Sequence, residues 1–237
     1  MKAHAMRLAV AGLLMVMATG CATQKSWVYR SGSYADRPSV PMQKSVAVLP
    51  FDDGRENANK NRLAIYLIPL IPAFGWADFS VPEGSQMHVT SGLWVNYKPT
   101  EDFPKALAQE FTAAGLFREA YFDFKKGESD LVVRGRIVST RYKGTIISYG
   151  LSAYGPLLWF VGFPSGTVYN DLSVELSCLD SKTGATLFTK SYTAEPYSKV
   201  AWIYVMPDDF NYPVMLGDVY RQFIQDLRRA LPSPAKP

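Results

Sequence analysis

From Leu172 to Cys178 the chain alternates strictly, with Leu172, Val174, Leu176 and Cys178 set against Ser173, Glu175 and Ser177. A two-residue period puts the four apolar side chains on one face of a strand, so this segment predicts a sheet with one face that something else must cover. Thr167 to Leu179 and Ala185 to Ala194 read as a hairpin joined by Asp180-Ser-Lys-Thr-Gly184, with glycine where φ > 0 is needed. Asp130 to about Tyr142 reads as a half-exposed strand in which Arg134 and Arg136 alternate with Val133, Gly135 and Ile137. Lys44 to Phe51 reads as a buried strand stopped by Pro50, Asp52 to Arg55 as a turn, and Ala120 to Phe124 as a further strand. The cover comes from two amphipathic segments. In Asp102 to Leu116, Asp102 caps the start, Pro104 fits the first turn, Phe103, Leu107, Phe111 and Ala114 share a face, and Gly115 ends the helix. From about Val214 to Leu231, Val219, Phe223, Leu227 and Leu231 lie opposite Arg221, Gln225 and Arg228. The expectation is an α+β fold: a mixed or antiparallel sheet of about five strands, with two main helices against one or both faces.

The chain opens with Lys2 and Arg7, then an uncharged run from Leu8 to Thr19, then Gly20-Cys21. A basic start, a short apolar run and small residues at its end describe a signal peptide, too short to span about 30 Å of hydrocarbon. Ala18-Thr19-Gly20-Cys21 resembles the lipobox of bacterial lipoproteins. The resemblance implies cleavage before Cys21, a diacylglycerol on its thiol and an acyl chain such as palmitate on its freed amine. Ala22, rather than Asp, in the next position implies sorting to the outer membrane. Cys178 is then the only free thiol, so no intramolecular disulfide forms, and its place on the apolar strand face predicts a buried, unreactive residue.

Ala22 to about Gln43 is polar, rich in Pro and Ser and without period, and reads as a flexible tether; residues 232–237 read as a loose tail. The strand KSVAVLPFDD, the helix end Ala114-Gly115-Leu116-Phe117, the strand entry Ser129 to Gly135 and the hairpin Leu179 to Gly184 resemble a domain of curli-secretion-channel-like envelope lipoproteins. That superfamily also includes exopolysaccharide-export and penicillin-binding-protein-activator lipoproteins. The resemblance runs from about Lys44 to Ala194. It implies a small sheet flanked by helices and a non-enzymatic part in an envelope machine, often a ring.

Two apolar insertions interrupt this plan, near 64–77 and 146–165; the second lies in a charge-free window from Gly144 to Asn170. A third apolar piece runs from Val200 to Met206. Together they carry Trp76, Trp159, Phe160, Phe163 and Trp202. Either they pack on one another as a satellite core, or they form a patch that meets the membrane or a partner. Prolines at 69, 72 and 156 argue against transmembrane helices, and a hairpin whose tip touches lipid or a neighbour suits the flanking strands.

The balance of 25 basic to 21 acidic residues, a net +4, gives no footprint for nucleic acid. Beyond the leader only His88 is available to a catalytic triad, no G-x-S-x-G elbow exists, His and Cys are too few for a metal cluster, and no glycine-rich nucleotide cradle is present. No catalytic residue, metal or cofactor is therefore expected. Asp52/Asp53 and Asp208/Asp209 are the only carboxylate pairs worth weighing for glycan hydrolysis, and adjacent acids point different ways. The expected plan is a signal peptide over 1–20, an anchor at Cys21 with a tether over 21–43, one α+β domain over 44–231 and a tail. The expected function is that of a lipoprotein on the periplasmic face of the outer membrane, a non-enzymatic binding or assembly component of an envelope, export or surface-maintenance system. Its expected partners are membrane lipid, through acylated Cys21, and an envelope protein or a second copy. A membrane-inserting ring or pore subunit and a carboxylate-dependent glycan hydrolase are the alternatives.

Overall fold

A computed structural model describes residues 25–55, 76–81, 94–95, 97–151, 154–203 and 211–231. In chain order these give β1 (Lys25–Ser26), β2 (Met42–Val48), β3 (Asp52–Asp53), β4 (Trp76–Val81), β5 (Trp94–Val95), α1 (Pro99–Ala114), β6 (Phe117–Phe122), β7 (Leu131–Ser139) and β8 (Tyr142–Ile147). Then follow α2 (Pro156–Phe160), β9 (Gly166–Asn170), β10 (Ser173–Asp180), β11 (Thr186–Thr193), β12 (Tyr197–Ala201) and α3 (Tyr212–Ala230).

The fold is α+β. Its main sheet has six strands in the order β11-β10-β7-β2-β6, with β3 beside β7. It is mixed: β10 runs antiparallel to β7 and β11, whereas β2 runs parallel to β6 and β7. A second sheet, order β12-β9-β8-β4, is wholly antiparallel, and β1 pairs in parallel with β5. The second sheet exceeds the sequence expectation: β4, β8 and β12 border the apolar pieces, and only β9 falls in a segment, Thr167 to Leu179, that reads as strand in the sequence.

Helices α1 and α3 cover one face of the main sheet and pack on each other. The apolar row Leu172, Val174, Leu176 and Cys178 is fully buried beneath them. Phe223 of α3 sits at the centre, with ring centroids of Phe111, Phe188 and Tyr192 at 6.0, 6.0 and 5.9 Å. Each such side chain taken from water contributes about 1.5–3 kcal/mol before entropy. The opposite face of the sheet is polar: Arg134 and Arg136 are exposed, and Ser173 and Ser177 hydrogen-bond across to Thr193 and Thr189 at 2.9 and 2.7 Å.

Several boundaries move from their expected places. Thr167 to Leu179 is two strands, because the chain bends at Asp171-Leu172 to leave one sheet for the other. The strand expected over Ala120–Phe124 is β6, three residues earlier at its start. Helix α1 starts at Pro99, not after Asp102, and the Asp102 carboxylate accepts the backbone N–H of Lys98 at 2.7 Å from within the first turn. Pro104 then lies inside the helix, where it lacks the N–H that would bond the Thr100 carbonyl. The Phe51 N–H fills that carbonyl at 2.9 Å, fastening the start of α1 to the end of β2. Gly115 ends the helix at φ 60°, as its sequence position predicts.

Candidate functional site

Strands β7 and β10 continue beyond the main sheet as β8 and β9, so one long hairpin leaves the core as an arm. β4 and β12 widen it on either side, and the arm strands contact chiefly one another. Its base is the Tyr142–Asn170 pair, and its ladder ends where Ile147 N–H bonds the Ser165 carbonyl at 3.0 Å. Gly166 makes the close approach in between: a Cβ there would stand 1.9 Å from the Thr145 carbonyl oxygen.

Beyond the ladder the chain folds into a small cap. The indole N–H of Trp159 bonds the Ile147 carbonyl at 2.9 Å, and the Tyr149 hydroxyl bonds the Pro164 carbonyl at 2.6 Å. Pro156, expected to split this stretch, instead opens the one-turn helix α2, where its missing N–H is harmless. The cap turns its apolar groups outward. Tyr154 is 64% exposed, Leu157 63%, Phe160 53%, Val161 70% and Phe163 46%.

The expected contact residues thus gather at one end of the arm. Phe160 and Phe163 are exposed, and Trp159 is half-buried against the ladder. Trp76 stands opposite Ile147 in β4, and half-buried Trp202 follows Ala201, which stands opposite Gly166. Three positions held by tryptophan, from three separate segments, therefore fall at the same register level, at the end of the ladder. Cys21, His88, Asp208, Asp209 and most of the first insertion lie outside the described residues.

A second feature escaped the sequence reading. Residues 27–37, expected as part of the tether, lie as a strap along α1 and α3. Trp27 packs at 5.2 Å from Tyr97 and 5.7 Å from Phe103, and Tyr29 meets Tyr220 edge-on at 6.3 Å. Glu110 of α1, 1% exposed, accepts hydrogen bonds from the Tyr29 hydroxyl at 2.7 Å, the Gly32 N–H at 2.8 Å and the Tyr34 hydroxyl. Burial, and then the bond to this carboxylate, push both phenol pKa values above their usual range. Arg228 of α3 closes the far end, donating to the carbonyls of Asp36 at 2.7 Å and Ala114 at 3.2 Å. An open groove of about 810 Å³ runs between strap, α1 and β6, lined by Ser31, Arg37, Lys105, Gln109, Tyr121 and Phe122 among others. The aromatic residues scattered through a polar stretch were the available signal, but their partners lie 70 or more residues away.

Of the carboxylate pair Asp52/Asp53, Asp53 is gripped by Arg55, whose Nε and Nη2 donate to its two oxygens at 2.8 and 2.7 Å. That hydrogen-bonded pairing holds the Asp53 carboxyl below the usual range. The Cys178 thiol is pushed up to about 12 by burial. In protein carrying Cys21→Ser, we expect Cys178 to react with a thiol reagent at pH 8 at least about tenfold more slowly when folded than in denaturant. Equal rates would show that strand β10 is open to solvent.

No family model matches the chain, and no curated protein matches it. Among solved structures it is similar to a Xanthomonas campestris protein of the DUF330 family model, at 12% identity, TM-score 0.43, over 86% of this chain and 91% of that one. It is also similar to PelC of Paraburkholderia phytofirmans, a dodecamer, at 10% identity and TM-score 0.38 over 84% and 95%. A lipoprotein of Neisseria meningitidis is similar at 11% identity and TM-score 0.27 over 78% and 99%. No helix among the described residues is long and apolar enough to cross a membrane.

Proposed function

We propose that this protein is a lipid-anchored component of the bacterial outer membrane that works by binding, with the arm as its contact element. The observation that carries this reading is the arm's cap, where six large apolar side chains, Leu151 with the five named above, stand exposed in a stretch without charge. A stable domain buries such groups unless something else covers them. The lipobox-like Ala18 to Cys21 supports the anchor, with thioester-free attachment through the Cys21 sulfur and an acylated amine. Catalysis by Asp53 is disfavoured by its pairing with Arg55, which keeps it charged and engaged.

The test is made in a Gram-negative host. The wild-type protein is expected in the outer-membrane fraction with a mass increase at Cys21, and Cys21→Ser in a soluble or inner-membrane fraction without it. A photocrosslinker at Phe163 is expected to capture a membrane component or an envelope protein. Retention of Cys21→Ser in the outer membrane would overturn the anchor. Glycan hydrolysis by the purified protein, abolished by Asp53→Asn, would overturn the binding role.

A further inference from the structure

We infer that the cap of the arm enters the same bilayer that holds Cys21, so that the protein stands on its membrane at two points. The inference rests on the anchoring reading above and adds the orientation that the fold imposes.

Chain direction puts anchor and arm at one end of the core. Helix α1 begins beside the end of β2, because Phe51 N–H bonds the Thr100 carbonyl, and it finishes beside the start of β2, because Met42 N–H bonds the Leu116 carbonyl. The strap runs alongside in the same sense: Trp27 packs on Phe103 in the first turns of α1, and Asp36 shares Arg228 with Ala114 in the last. Residue 25 therefore emerges at the end of the core where β2 finishes. β7 runs parallel to β2 and passes into β8 at that same end, and Tyr212 at the start of α3 bonds the Thr140 carbonyl there. The anchor and the arm leave the core together.

Lengths then decide what the arm touches. Four residue steps separate Cys21 from Lys25, so the lipidated residue lies at most about 14 Å from the first described one. β8, five steps from Tyr142 to Ile147, spans about 17 Å at about 3.3 Å per step, and the cap lies beyond it. An arm at least as long as the tether, starting from the same end, reaches the surface to which the tether is tied. Its composition suits that position. Trp159 and Trp202 lie where strand gives way to cap, the headgroup depth that tryptophan favours, position 76 is level with Ile147 in β4, and Leu157, Phe160 and Val161 stand exposed in the cap. The charged residues of the flanking strands, Asp78 and Lys199, stand opposite Thr145 and Val168, farther back toward the base.

The experiment uses the mature acylated protein in vesicles of phosphatidylethanolamine and phosphatidylglycerol, some carrying a nitroxide-labelled acyl chain. A nitrobenzoxadiazole probe is placed by Phe160→Cys, by Leu157→Cys as a second cap position, and by Ser191→Cys on the exposed face of β11 as control; buried Cys178 does not compete. Flotation and the mass of the N-terminal peptide report the anchor separately. The expected result is flotation with acylated Cys21, quenching of both cap probes by the nitroxide lipid by at least about twofold, and no quenching at 191. Acylated protein that floats while both cap probes stay unquenched overturns the inference and leaves the anchor standing, and a second copy or another protein then covers the cap. Protein that neither floats nor carries acyl chains at Cys21 overturns the anchoring reading and the inference with it.

Discussion

Glu110→Ala is expected to free the strap and to destabilise the domain by about 3 kcal/mol. The substitution removes one acceptor shared by three donors, leaving the Tyr29 and Tyr34 hydroxyls and the Gly32 N–H unpaired in a site nearly closed to water. A missing carboxylate also leaves a void that Ala cannot fill. Urea unfolding measures the loss, and limited proteolysis locates it: cleavage between residues 27 and 37 should appear well below the denaturant concentration at which the core opens. Glu110→Gln should lose less, since its amide oxygen can still accept from Tyr29 and Gly32 while its NH₂ turns to the Tyr34 hydroxyl. A strap as protected in Glu110→Ala as in the parent would mean that the ring packing of Trp27 and Tyr29 alone holds it. The functional effect follows from length. With the strap docked, about 14 Å of chain separates Cys21 from the fold; with it free, residues 21–42 extend to roughly 70 Å.

Gly166→Ala is the second substitution with a large expected effect, and it strikes the arm alone. A methyl group there would stand 1.9 Å from the Thr145 oxygen and 3.0 Å from its carbon, both backbone atoms that no rotamer change can move aside. The β8–β9 ladder must separate at that point, so amides of 142–147 and 166–170 should exchange at least about tenfold faster than in the parent. Amides of β7 and β10 in the main sheet should keep their protection, because the arm strands contact chiefly one another. Unchanged protection across β8 and β9 would mean that the strands shift to admit the methyl without separating.

Elements whose reason is local were legible in the sequence. The Leu172–Cys178 row showed its buried face because every second residue is polar, and Gly115 showed the end of α1 because only glycine adopts that φ cheaply. Elements whose reason is distant were not. Asp102 looks like a cap, yet α1 starts earlier because Phe51, 49 residues before Thr100, takes the carbonyl that Pro104 leaves unbonded. The strap looked like tether because Trp27, Tyr29 and Tyr34 follow no period; their order comes from Phe103, Glu110 and Tyr220. At the candidate site, the apolar insertions were visible as excess, and Phe160 and Phe163 are exposed. That positions 76, 159 and 202 would share one level depended on the register of β4, β8, β9 and β12, which pairs segments far apart in the chain and follows from no local pattern.

The central place of β2 gives the folding chain a waiting period. This early strand is completed only by β6 and β7, with Val46 opposite Ala120 and Leu131, and the strap is closed only by Arg228 near the end of the last helix. Until β6, β7 and α1 are in place the run Val46-Ala47-Val48 has no cover, and until Arg228 is packed the far end of the strap is slack. Assembly of the sheet and helices then takes up the slack, so that folding itself draws the domain toward whatever holds its N-terminus.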